Sequence, residues 1–168
     1  MIRKLPLALG FAALAVPALA HVTLDQPEAR VGSTYKAVLR VPHGCGDQAT
    51  ITLRVQIPEG FYNVKPMPKA GWVLETVSGP YATPYDNHGT TMTEGVQEII
   101  WSGGELPNEF YDEFVFRGSF AKDLPAGSTF WFPTVQECAD GEEAWLDISG
   151  DGKAEMPAPG VRLIEASH

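Results

Sequence analysis

Between residues 49 and 56 the chain reads Ala49-Thr50-Ile51-Thr52-Leu53-Arg54-Val55-Gln56, with apolar and polar side chains in turn. A period of two belongs to a strand with one buried and one wet face. Short β-rich runs of this kind recur along the chain, interrupted by turn residues roughly every ten positions. No stretch holds a 3.6-residue period long enough for a helix. Strands are expected at 21–25, 34–41, 49–56, 61–65, 72–78, 96–102, 111–119, 128–135 and 145–148. This pattern is that of an all-β fold, an immunoglobulin-like β-sandwich of two antiparallel sheets. Residues 79–95 are polar and rich in Pro, Gly and Thr, and read as a long hairpin loop. Beyond Gly150 the chain is Pro-rich, and residues 151–168 read as a partly loose tail.

Residues 1–20 carry the marks of a secretory signal. Arg3 and Lys4 give a basic start, Leu5 to Leu19 an apolar run, and Ala18-Leu19-Ala20 a small-x-small cleavage site. Cleavage after Ala20 makes His21 the first residue of a single domain spanning 21–150, followed by the tail. It also removes two of the 12 basic residues and leaves all 21 acidic ones. So acidic a surface repels phosphate backbones and excludes nucleic acid as a partner. No second apolar run is long enough to span a membrane, so the mature chain is expected to lack a membrane anchor. Its expected location is periplasmic or secreted.

An N-terminal histidine is a chelator. Its free α-amine and ring Nδ1 can grip one metal ion together, and that pair of nitrogens suits Cu(II). Two nitrogens leave the ion unsaturated, and carboxylates on a neighbouring strand are the natural supply. The run Tyr111 to Arg117 is the best source. Alternation puts Phe114 and Phe116 on one face, with Glu113, Val115 and Arg117 on the other. An acid inside a strand either faces water or pairs with a positive group.

Of the four tryptophans, Trp101 and Trp131 read as packing residues. Trp145 follows the acidic run Asp140 to Ala144 and is placed to close over a site near a strand end. His43 sits in the turn Val41 to Gly46, either hydrogen-bonded locally or part of a second metal site. His88 and His168 read as solvated. The string Asp147 to Gly152 resembles half a calcium loop but lacks the later bidentate Glu. Cys45 and Cys138 are the only cysteines. An exported pair most often forms a disulfide, worth on the order of 4 kcal/mol for a loop of about 90 residues. The rival is a thiolate metal site with His43. No phosphate-binding loop, nucleophile elbow or Ser/His/Asp set is present, which speaks against hydrolase chemistry.

Taken together, these residues resemble the YcnI-like family of exported bacterial domains. The similarity lies in His21-Val22-Thr23, Val41-Pro42-His43-Gly44-Cys45, Lys65-Pro66-Met67, Gly71-Trp72 and Trp101-Ser102-Gly103. It continues through Asp112-Glu113-Phe114, Phe132-Pro133-Thr134-Val135-Gln136, and Asp140-Gly141 followed by Trp145. The resemblance implies a β-sandwich that holds Cu(II) in a mono-histidine brace: the terminal amine and Nδ1 of the first residue, a Glu carboxylate and a nearby Trp. Carried over, these are His21, Glu113 with Asp112 as the alternative, and Trp145 with Trp131 as the alternative. It also implies a disulfide between Cys45 and Cys138. Family members often end in a membrane anchor, and this chain is expected to depart from them there.

The expected function is therefore a copper chaperone or store in copper homeostasis, and not an enzyme. Its implied partners are the copper ion and a membrane copper transporter or another periplasmic copper chaperone. Two rivals stand beside it. A copper-dependent oxidase or monooxygenase needs a second histidine on the ion, from His43, His88 or His168. A metal-free β-sandwich interaction module makes His21 incidental.

Overall fold

The computed structural model describes residues 21–166. The expected leader and His168 lie outside them. All regular structure among the described residues is β. A four-stranded antiparallel sheet runs β1 (Thr23–Leu24), β3 (Thr34–Val41), β8 (Asp112–Phe120), β5 (Phe61–Pro66). A five-stranded antiparallel sheet runs β11 (Glu142–Trp145), β10 (Thr134–Cys138), β4 (Thr50–Gln56), β7 (Thr90–Leu106), β6 (Val73–Asn87). The third sheet, β2 (Glu28–Arg30), β12 (Gly160–Ile164), β9 (Thr129–Trp131), pairs β2 with β12 in parallel.

The immunoglobulin-like sandwich expected from the sequence is present, but with a third, smaller sheet. Proline explains the difference. The single strand expected at 128–135 is cut at Phe132-Pro133, where the chain changes sheets. Phe132 N–H donates to the carbonyl of Pro159 at 2.8 Å, next to β12, while the Pro133 carbonyl accepts Gln56 N–H at 2.9 Å, in β4.

One other expectation is corrected. Residues 79–95 are not a loop but most of a two-stranded arm made by β6 and β7. The arm is exposed on both faces along much of its length, so no burial period marks it. Its Thr and Tyr residues still favour the extended chain. Its tip is a two-residue turn in which His88 (φ 53°) and Gly89 (φ 84°) are both left-handed, the conformation a type I′ hairpin turn needs. Asp86 Oδ1 accepts Gly89 N–H at 2.7 Å and steadies it. Part of the tail, read as partly loose, is ordered. Its Val161 and Leu163 are fully buried in β12, and β12 completes the third sheet.

Local shifts follow the same logic. Leu53 and Val55 face the core as the alternation requires, but Ile51 is exposed and Thr50 is buried. The register of β4 against β7 slips between Thr50 and Thr52, and such a bulge reverses which face each residue takes. Trp145 closes β11 rather than opening a strand, and Leu146 and Ile148 beyond it are exposed.

Between the sheets lies an aromatic core. Phe61 packs on Phe120 at 4.8 Å and on Phe132 at 5.2 Å, and Phe116 meets Phe132 at 5.3 Å. Each such side chain contributes about 1.5–3 kcal/mol when fully buried. Val22 and Leu24 anchor the start of the domain in this core, which fixes where His21 emerges.

Candidate metal centre

Val22 is buried and Thr23 begins the first ladder, opposite Arg40. His21 is thereby held at one end of the sandwich, half-buried. Its ring meets the Trp145 indole edge-on, with centroids 5.4 Å apart and planes at 67°. His43 approaches the same indole at 6.3 Å and 69°. Trp145 is thus flanked by two imidazoles while remaining almost wholly buried.

Gln136 fixes this arrangement. It is fully buried on β10. Its Nε2 donates to the His43 carbonyl at 2.5 Å and to Thr50 Oγ1 at 2.8 Å, and its Oε1 accepts Trp145 Nε1–H at 3.4 Å. One side chain therefore ties the His43 turn to the tryptophan. The sequence reading missed it, although Gln136 ends one of the quoted strings. A buried amide needs several partners to offset its desolvation, and nothing in a linear sequence shows where they come from.

The same turn is tied down covalently. Cys45 and Cys138 form a disulfide, with Cα atoms 6.0 Å apart. This removes the thiolate alternative for His43. Gly44 N–H donates to Asn108 Oδ1 at 3.0 Å, so the loop after β7 also packs on this end. His43 Nδ1–H donates to the Gly44 carbonyl at 2.5 Å, which sets the ring's tautomer.

The acids expected to complete a metal shell have cationic partners. Glu113 lies opposite Arg40 in the β3–β8 ladder, with Oε1 3.6 Å from Arg40 Nε. Arg40 also pairs with Asp25. Asp112 Oδ2 is 2.7 Å from Lys69 Nζ, which also donates to the Glu113 carbonyl at 3.0 Å. Thr23, Arg40 and Glu113 sit side by side on adjacent strands, so Glu113 is two strands across and two residues along from His21. Trp131, the alternative tryptophan, lines a pocket of about 300 Å³ together with His21 and Asp147.

Among the described residues, no three His, Cys, Asp or Glu side chains converge on one point. His21 lines the pocket; on a chain starting there, its α-amine and Nδ1 would form the two-nitrogen part of a brace.

A cavity of about 460 Å³ lies elsewhere. It lies between the outer part of β6, residues 82–86, and the segments at 59–62 and 121–124. Its polar groups largely satisfy one another. Tyr85 Oη–H donates to Glu59 Oε2 at 2.6 Å and accepts Gly60 N–H at 2.8 Å, while Tyr62 stacks on Tyr85 at 4.6 Å. That bonding reads as an anchor for the arm.

A family model described as "Domain of unknown function (DUF1775)" matches residues 21–163. Among solved structures, the chain is similar to an uncharacterized protein from Nocardia farcinica with an immunoglobulin-like fold. The two share 25% identity over 86% of this chain and 99% of that one, with a TM-score of 0.62. No curated protein matches.

Proposed function

The chain belongs to the DUF1775 family, the YcnI-like domains, and from that premise we propose that it is an exported copper-binding protein, a chaperone or store. The Cu(II) ion, as cargo, is held by the α-amine and Nδ1 of His21 and by a carboxylate. The family resemblance assigns that carboxylate to Glu113, with Asp112 as the alternative. The remaining coordination position is where a membrane copper transporter or another periplasmic chaperone takes the ion. Trp145 limits water access on one side of the imidazole.

One observation carries this reading. The family match begins on His21, and that residue's ring lies against a buried tryptophan whose position Gln136 fixes. A brace at His21 accounts for that placement. The brace works by binding alone and calls for no reaction, so the protein is read as a carrier rather than an enzyme.

Mass spectrometry of the exported protein, native and with copper, tests the proposal. The expected result is a chain beginning at His21 that gains one copper ion. A start at another residue, or no copper adduct at equimolar metal, contradicts it.

A further inference from the structure

Asp147 lies two residues beyond Trp145, and its backbone is pinned. Its N–H donates to the Met156 carbonyl at 3.1 Å, and its own carbonyl accepts Ala158 N–H at 2.8 Å. These bonds bridge it to the chain around Pro157. The side chain is oriented as well. Oδ1 accepts both Ser149 N–H at 2.8 Å and Ser149 Oγ–H at 2.6 Å. Those two bonds hold the Asp147 carboxyl below the usual carboxylate range. Both fall on Oδ1, which leaves Oδ2 for a ligand.

This oriented acid lines the same 300 Å³ pocket as His21 and Trp131, with Gly150 and Gly152 supplying its turn. Glu113 and Asp112, by contrast, have Arg40 and Lys69 as partners. A carboxylate that shares a cavity with an imidazole and has one uncommitted oxygen is a ready metal ligand. Hydrogen bonds to its other oxygen provide the outer support that fixes such a ligand.

We propose that Asp147 supplies a carboxylate ligand, through Oδ2, to the ion held at His21, and that Ser149 is its positioning residue. The inference rests on the copper reading above. Under it, the string that resembles half a calcium loop is instead the acidic wall of the copper pocket.

The test uses the chain beginning at His21 and Cu(II) alone, with affinity from chelator competition and coordination from electron paramagnetic resonance. Asp147→Asn is expected to weaken binding by about tenfold or more and to change the copper hyperfine splitting. Ser149→Ala is expected to weaken it less and to leave the splitting in place. Asp147 is exposed, so the thermal midpoint of Asp147→Asn should stay near that of the parent. If Asp147→Asn keeps the parent's affinity and spectrum while Glu113→Gln loses the ion, the Asp147 assignment is overturned and the copper reading stands. A lowered midpoint with an unchanged spectrum also overturns it, because Asp147 then serves only the loop. If the parent chain takes up no copper, the copper reading itself fails, and Asp147 with it.

Discussion

The His21 ring stands edge-on to the Trp145 indole at 5.4 Å. A paramagnetic ion on that imidazole lies within contact-range quenching of the indole. Cu(II) should therefore quench the protein's tryptophan emission, and Trp145→Phe should remove the largest share of the quenching while preserving the aromatic packing. Quenching as strong in Trp145→Phe as in the parent would place the ion elsewhere. Stopped or steady-state fluorescence titration reads either result.

Gln136 joins the His43 turn to Trp145 by three hydrogen bonds in a fully buried site. Gln136→Leu leaves the His43 carbonyl, Thr50 Oγ1 and Trp145 Nε1 without that partner. The expected cost is about 2–4 kcal/mol, because buried polar groups left unpaired lose their full solvation. Urea denaturation measures it, and copper affinity should fall in parallel as the indole loses its support. A loss under about 0.5 kcal/mol, the usual range for a surface change, would mean the amide fixes nothing.

The disulfide spans 93 residues and anchors the same turn. Replacing Cys45 and Cys138 together by Ser should cost about 2–5 kcal/mol, mainly through a less constrained unfolded chain. The midpoint in urea should fall accordingly. An unchanged midpoint would show that the hydrogen bonds around Gln136 hold the turn unaided.

Burial, assisted by the charge of Asp25, pushes the Tyr35 hydroxyl up to about 12 from 10.0. The hydroxyl donates to the Gln26 carbonyl at 2.6 Å. The folded state thus prefers the neutral phenol. The corresponding stability is present in full below pH 10 and is lost as pH rises through about 12. Urea midpoints across that window should drop, and Tyr35→Phe should drop less steeply. The slope that remains belongs partly to Tyr85, pushed to about 12 by burial and by its bond to Glu59. Equal slopes in parent and Tyr35→Phe would remove Tyr35 from the alkaline transition.

Much of this architecture was legible because it is written locally. The period of two in β3, β4 and β8 puts Leu39, Leu53, Phe114 and Phe116 in the core, where they are found. What was not legible depends on contacts between distant segments. The bulge that exposes Ile51 is a property of the β4–β7 pairing and leaves no mark within 49–56. The β6–β7 arm has no buried face, so burial periodicity says nothing about it, although His88-Gly89 at its tip carries a usable turn signal. The short β2 and β12 find their strand partners in each other and in β9, segments distant in sequence.

The same division runs through the site. His21, Trp145 and the two cysteines were named from position and family resemblance, and the fold brings His21, His43 and Trp145 to one end of the sandwich. The Arg40 opposite Glu113 is a register fact that β8 alone does not reveal. Asp147 was visible as an acid in a Gly-rich turn. Its pocket-mate His21 is more than a hundred residues away in sequence, and only the closed sandwich joins them.

The most direct test concerns the backbone nitrogen of His21. Two proteins are compared by Cu(II) titration, one with the free α-amine of a chain beginning at His21 and one with that amine acetylated. Acetylation turns the amine into an amide while leaving the ring, Trp145 and every carboxylate in place. Acidification should weaken binding in the first protein, since protons compete for both nitrogens. Tight one-to-one binding by the first protein, with most affinity lost in the second, is the result predicted. Equal affinity in the two would contradict a brace at His21.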